Sequence, residues 1–302
     1  MSDTTLLITG AAGFTGRHLV AAANQKGCRC IAMAQHKGQK VPGAHDTLIA
    51  DLLDPESLEK AIVTAKPDYV VHLAAISFVA HGSAAEIYQV NQLGTLNLLD
   101  AIRKSAPEIT KVMIASSANI YGNTTKLPIT ESVPPAPVNH YGMSKVTMEM
   151  ATQLYTDLPI VVTRPFNYTG CGQNPNFLIP KIVTAFKAGK KEIELGNLDV
   201  SRDFSDVRDV VAGYLRLLET ENTALTYNIC SGTATSLLSV VETLNDLAGY
   251  TIQVCVNPDF VRDNEIKMLY GSPALLEGAV GTYRKYTLTD TLAWMFTEQE
   301  TA

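Results

Sequence analysis

Short apolar runs alternate with longer helix-compatible stretches through the first half of the chain. Thr5–Thr9 (TLLIT) is an apolar run that ends in glycines, and residues 15–26 follow it as a helical stretch. Arg29–Ala34, residues 48–50, residues 69–73 (YVVHL), Lys111–Ala115 (KVMIA) and residues 160–163 (IVVT) read as further strands, with a helix starting near Pro55. A strand covered by helices on both sides has no polar face, so short apolar strands separated by helical patterns predict βαβ units and a mostly parallel sheet. The second half changes character. Residues 167–176 are rich in Gly, Asn and Pro; residues 179–188 and Val207–Glu219 are helical in pattern; residues 227–230 (YNIC) add one strand. No internal repeat or low-complexity segment interrupts the chain.

Gly10, Gly13 and Gly16 stand in TGAAGFTG, directly after the first strand and at the start of the first helix. Glycines so spaced allow a tight turn, close approach of the backbone to a pyrophosphate, and close packing of helix on strand. The helix N-terminus adds free N–H groups and the positive end of its dipole. The expected architecture is therefore α/β: a Rossmann-like doubly wound parallel sheet with a smaller C-terminal α/β substrate cap. Residues 1–166 would form the dinucleotide-binding domain, with 204–232 returning to it, and 167–203 with 233–302 the cap.

The 302 residues carry a net charge of −6, which excludes a general electrostatic grip on nucleic acid but leaves room for a basic pocket around a phosphorylated small molecule. Five cysteines, an odd number without a CxxC pair, argue against a disulfide framework or zinc ribbon, and no metal site is expected. The first ten residues run straight into the strand–glycine pattern, and no stretch of about 18 apolar residues occurs. The expectation is a cytoplasmic protein without a secretory signal, membrane span or nucleic-acid partner.

After the second strand, where an NAD-preferring site places an acid against the adenosine ribose, the chain has Gln35, His36 and Lys37. A missing carboxylate removes repulsion against a 2′-phosphate, and Lys37 could pair with one, so NADP(H) is favoured with NAD(H) kept open. Asp51 is a candidate to accept from the adenine amino group. Tyr141 and Lys145, in YGMSK, are spaced i and i+4 and share a helix face. An ammonium stabilises phenolate; lowering a tyrosine pKa by roughly three units takes about 4 kcal/mol, which a desolvated lysine together with a cationic nicotinamide ring could supply. Ser117 ends the KVMIA strand, where open α/β sheets place ligands, and its hydroxyl can orient a reacting oxygen.

TGAAGFTG, HLAA (72–75), ASSANIYG, YGMSK and RPFN (164–167) occur in the order seen in extended short-chain dehydrogenase/reductases, and the chain resembles that family over nearly its whole length. The resemblance implies Ser117, Tyr141 and Lys145 as the catalytic set. Gly10, Gly13, Phe14, Gly16, Gln35, Lys37, Asp51, Leu52, Leu73, Ala74, Ala75, Asn91, Tyr141, Lys145 and Pro165 would hold the cofactor. His72 would also line the cleft, and Asn91 would support the catalytic helix. Dehydratases of the family carry acidic residues after the catalytic Ser or Thr; here Ala118 and Asn119 stand there, and neither transfers a proton at neutral pH.

The second half is most similar to the family's GDP-4-keto-6-deoxy-D-mannose reductases, which form GDP-D-rhamnose, through RPFNYTGCGQ, GNLDVSRDFSDVRDVV, YNICSG and VRDNEIKMLYGS. That likeness implies Ser77, Asn119, Asn167, Lys181, Arg202, Arg262 and Glu265 as nucleotide-sugar contacts, with GDP-sugar or another nucleotide-sugar as substrate. The GWxP stretch of such enzymes is replaced by Gly281-Thr282-Tyr283-Arg284, which puts the cap's local packing in question. A 4-epimerase with tightly bound NAD, a reductase of a dTDP-, CDP- or UDP-linked 4-keto sugar, and a non-catalytic sensor are the competing readings. The epimerase uses the same three residues and differs in consuming no cofactor. The family also implies a homodimer, packed through helices at residues 84–105 and 141–156.

Overall fold

The computed structural model describes residues 1–39, 41–77, 83–223, 225–261 and 267–298. Seven parallel strands form the central sheet. β1 (Thr5–Thr9) lies between β2 (Arg29–Ala34) and β4 (Tyr69–His72); β3 (Asp46–Ile49) is one edge, and β5 (Lys111–Ala115), β6 (Ile160–Pro165) and a last strand, Thr226–Ile229, continue to the other. Strand order reverses at β1 and β4, and the crevice beyond their carboxyl ends is where such sheets take ligands.

Alternate residues of one strand serve opposite layers. Leu6 and Ile8 of β1 pack with Leu19, Val20 and Ala23 of α1 (Phe14–Gln25) and with Val210, Tyr214 and Leu217 of the Val207–Glu219 helix. Leu7 packs on the other face with Leu58 and Ile62 of α2 (Pro55–Ala65). Three more helices and a π-helical turn carry the chain forward: α3 (Ala84–Tyr88), the π-helical turn (Gln89–Leu93), α4 (Gly94–Ser105) and α5 (His140–Thr152). Leu98, Leu99 and Ile102 of α4 and Met148 of α5 complete that second layer. Each fully buried aliphatic side chain contributes roughly 2 kcal/mol. The third strand starts two residues earlier than the apolar pattern predicts, at Asp46, because an edge strand is half exposed and half polar.

Local signals set the helix starts. Asp54 accepts from the amides of Glu56 and Ser57, with Pro55 in the first turn, and Asn139 accepts from Gly142 N at 2.8 Å to start α5. A third core of Ile179, Ile182, Phe186, Leu195, Leu237, Val240, Leu244 and Leu292 builds the C-terminal part around helices Leu178–Lys187, Leu237–Ala248 and Leu288–Thr297. There a parallel pair joins Glu192–Leu195 to Gln253–Val256. The stretch that departs from GWxP is closed by Tyr283: its buried ring fills the space above Gly213, where a Cβ would come within 3.1 Å of it. Among the described residues, no helix is long and apolar enough to cross a membrane, and no group of His, Cys, Asp and Glu is disposed to hold a metal ion.

Candidate active site

The glycine loop forms a cradle that admits no side chain at Gly10 or Gly16. Gly10 has φ +66°, and a Cβ there would lie 2.8 Å from Ala74 N; one on Gly16 would lie 2.4 Å from the Gly10 carbonyl oxygen and 2.5 Å from Ala11 Cα. The α1 N-terminus therefore sits directly over the ends of β1 and β4, with a backbone surface suited to a pyrophosphate. Phe14, next in the loop, stacks on Tyr168 with ring centroids 6.0 Å apart, and Thr15 Oγ1 meets the Tyr168 hydroxyl at 2.8 Å.

A cleft of about 1650 Å³ opens at this point. Gly10, Gly13, Phe14, Gly16, Gln35, Asp51, Leu52, Leu73, Ala74, Ala75 and Pro165 line it, as do Ser77, Asn119, Asn167 and Arg202, and so do Ser117, Tyr141 and Lys145. Asp51 is already engaged: its carboxylate accepts from Leu53 N at 2.9 Å and from the Gln35 amide at 3.4 Å. Lys37, Asn91 and Lys181 do not line the cleft. Lys37 is exposed beyond it; Lys181 donates to the Glu194 carbonyl at 2.9 Å and lies over the Phe260 ring. Arg262 and Glu265, like Phe78 and Val79, lie outside the described residues. His72 was expected in the cleft wall; it is instead buried beneath it, because β4 turns that side chain toward Thr9 and Thr95. The cleft also takes in Tyr168, Gln173, Asn174 and Phe177, which sequence reasoning passed over. Their one signal was the Gly- and Asn-rich loop after RPFN.

α5 brings Tyr141 and Lys145 to the cleft on one face, as their spacing requires. Gly142 between them is packed so closely on the turn after β5 that a Cβ would lie 2.7 Å from the Asn119 carbonyl oxygen. Lys145 Nζ donates to the Ala115 carbonyl at 2.8 Å. Burial pulls its pKa down to about 8, and the Glu149 carboxylate one turn along the helix pulls the other way. Burial likewise pushes the Tyr141 phenol up to about 12, partly offset by the neighbouring Ser117 hydroxyl. In the chain by itself desolvation of the phenolate dominates; the anticipated lowering draws on a cationic nicotinamide ring as well as on the lysine. Ser117 Oγ accepts twice from Asn119, from its backbone N and its side-chain Nδ2, both at 3.1 Å. With its acceptor capacity occupied, the serine hydroxyl keeps its own proton to donate to an oxygen in the cleft.

The profile of the NAD dependent epimerase/dehydratase family matches residues 6–230, the glycine loop, the Ser–Tyr–Lys set and the last sheet strand included. The chain belongs to that family. Two curated members resemble it over nearly their full length. The GDP-6-deoxy-D-talose 4-dehydrogenase of Aggregatibacter actinomycetemcomitans is 38% identical over 284 residues, 93% of each chain. The GDP-6-deoxy-D-mannose reductase of Pseudomonas aeruginosa is 34% identical over 307 residues, 98% of this chain and 97% of that one. Among solved structures, RMD from Pseudomonas aeruginosa complexed with NADPH superposes with a TM-score of 0.84 at 31% identity, covering 97% of this chain and 98% of that one. This epimerase/dehydratase-family chain is an NAD(P)-dependent enzyme, and its doubly wound sheet is the family's fold.

Proposed function

We propose that the enzyme reduces the 4-keto group of a nucleotide-4-keto-6-deoxy sugar, with GDP-4-keto-6-deoxy-D-mannose as substrate and GDP-D-rhamnose as product. The observation that carries this reading is the Ser117–Tyr141–Lys145 arrangement in the cleft, followed by Ala118 and Asn119. Asn119 is spent on orienting Ser117 and carries no proton to transfer, so the site favours simple carbonyl reduction over dehydration. The relatives named for GDP-6-deoxy sugars support the nucleotide and the deoxy sugar.

A nicotinamide cofactor held over the glycine loop would supply the hydride for the carbonyl carbon. Tyr141, protonated at neutral pH, gives its phenolic proton to the carbonyl oxygen as that oxygen becomes a hydroxyl. Ser117 donates a hydrogen bond to the same oxygen and fixes its direction. Lys145, charged at neutral pH, would hold the ribose of the cofactor and stabilises the phenolate left after transfer. Arg202 lines the cleft and suits a diphosphate or base oxygen. After β2 the cleft is lined by Gln35, His36 and Gln39, with no acid at the position that would face the adenosine ribose, which favours NADPH over NADH. Residues 1–166 with 204–232 serve the cofactor, and 167–203 with 233–302 the sugar nucleotide. A homodimer is part of the same reading. Leu93 of the π-helical turn, Met143 and Met150 of α5, and Leu154 just beyond α5 present exposed apolar side chains; Met150 is 64% and Leu154 78% exposed.

The test is spectrophotometric. Purified protein with GDP-4-keto-6-deoxy-D-mannose should oxidise NADPH, faster than NADH, and Tyr141→Phe should lose about two to four orders of magnitude in kcat. A folded protein that oxidises neither cofactor with this sugar rules the assignment out; turnover without net oxidation, on an intact nucleotide-sugar, identifies an epimerase.

A further inference from the structure

A line of hydrogen bonds runs beneath the cofactor cleft through His72, and its direction follows proton by proton. Thr95 Oγ1 donates to the Asn91 carbonyl at 2.7 Å. A hydroxyl has one proton, so toward His72 Nε2, 2.9 Å away, Thr95 can only accept. Nε2 therefore carries the imidazole proton. The neutral ring then offers Nδ1 as an acceptor, and Thr9 Oγ1 donates to it at 2.7 Å. Thr9 Oγ1 in turn accepts from the Ala74 amide at 3.1 Å. Every bond points the same way, from Ala74 N–H through Thr9, His72 and Thr95 to the Asn91 carbonyl, so each polarises the next. Thr9, His72, Thr95 and Asn91 are all at most 2% exposed.

Both ends of this relay touch the site. Ala74 is the residue against which Gly10 packs. Asn91 lies in the π-helical turn, a feature that often marks functional sites. Its side chain accepts from Ile76 N at 2.8 Å and donates to the Ile76 carbonyl and to Ser144 Oγ, each at 3.1 Å. Ser144 Oγ donates to the Tyr141 carbonyl at 2.7 Å. One connected set of buried bonds thus ties residues 74–76, a wall of the cleft, to the backbone of the proposed proton donor.

We infer that His72 is a positioning residue: held as the Nε2–H tautomer, it locks the 74–76 wall of the cofactor cleft against the helix that carries Tyr141, so that the dinucleotide binds in register with the proton donor. Imidazole suits the task because one rigid ring accepts at one end and donates at the other. A protonated ring would turn Nδ1 into a second donor facing Thr9 and break the line. Burial, with the Lys145 charge adding to it, holds the ring neutral by lowering its pKa to about 3. Only the consequence for turnover rests on the reductase reading; tautomer and cofactor affinity do not involve the sugar.

Nitrogen-15 NMR of the imidazole in the wild-type chain tests the inference without any substitution. The expected result is one Nε2–H tautomer, unchanged from about pH 8 down to about pH 5. An Nδ1–H tautomer, or titration near neutrality, would overturn it. Thr95→Val keeps the shape of the side chain and removes the acceptor for Nε2–H. The dissociation constant for NADPH, read from nicotinamide fluorescence, should rise roughly five- to tenfold, and Thr95→Ser should restore it. Unchanged NADPH affinity in a folded Thr95→Val protein also overturns the inference. If affinity responds as stated but no 4-keto sugar is reduced, the positioning role stands and the substrate assignment alone falls.

Discussion

The guanidinium of Arg164 grips the carboxylate of Glu149 in the interior, Nε 3.0 Å from Oε1 and Nη2 2.6 Å from Oε2, one helical turn beyond Lys145. Arg164 Nη1 also donates to the Tyr121 hydroxyl at 2.9 Å, which donates to Asn228 Oδ1 at 2.7 Å. The arginine of RPFN therefore acts inside the protein, tying β6 to α5 and to the turn after β5. Removing one partner of a buried pair strands the other charge. Arg164→Met should cost about 3–5 kcal/mol in urea unfolding, and the double variant Arg164→Met with Glu149→Leu should recover much of that loss.

Turnover should carry the signature of Lys145. Its ammonium form persists below a pKa of about 8 and is lost as pH rises through it. The kcat for reduction should be flat on the acid side and fall above about pH 8. Glu149 raises that pKa, so Glu149→Gln should move the falling limb to lower pH. A limb that stays in place in a pH profile of this variant would separate the two residues.

On the acid side, stability should follow His72. Its pKa drops from 6.5 to about 3 on folding, chiefly by burial. Between those values the unfolded chain takes up a proton that the folded one refuses, so stability is complete above the unfolded pKa and declines as pH falls toward the folded one. The slope from this group approaches about 1.4 kcal/mol per pH unit. Urea midpoints measured across that window should fall steadily, and His72→Gln should flatten the dependence while lowering stability at neutral pH.

Gly16→Ala is the sharpest probe of the cradle. The added methyl would meet the Gly10 carbonyl and Ala11 backbone, neither of which can yield without shifting α1. Overpacking of this kind costs typically about 1–3 kcal/mol. Thermal melting should register that loss, and NADPH binding should weaken by more than about tenfold as the helix N-terminus retreats.

The glycine loop, the strand–helix alternation and the YGMSK spacing were legible because they are local: a period, a turn geometry and a shared helix face need only a few neighbouring residues. From them the sequence alone determined the doubly wound sheet and the cofactor class, and it singled out Ser117, Tyr141 and Lys145, which the fold brings to one cleft. Tertiary structure decided what depends on distant partners. His72 looked like a cleft residue until Thr9 and Thr95, from other elements, claimed both of its ring nitrogens. Arg164 stands three residues before Asn167 in RPFN, yet only the fold shows that Glu149 holds it. Lys181, read as a sugar contact, is held by the Glu194 carbonyl. In the chain by itself the Tyr141 pKa is raised by burial, because desolvation is a property of the whole surrounding volume and no i, i+4 spacing encodes it.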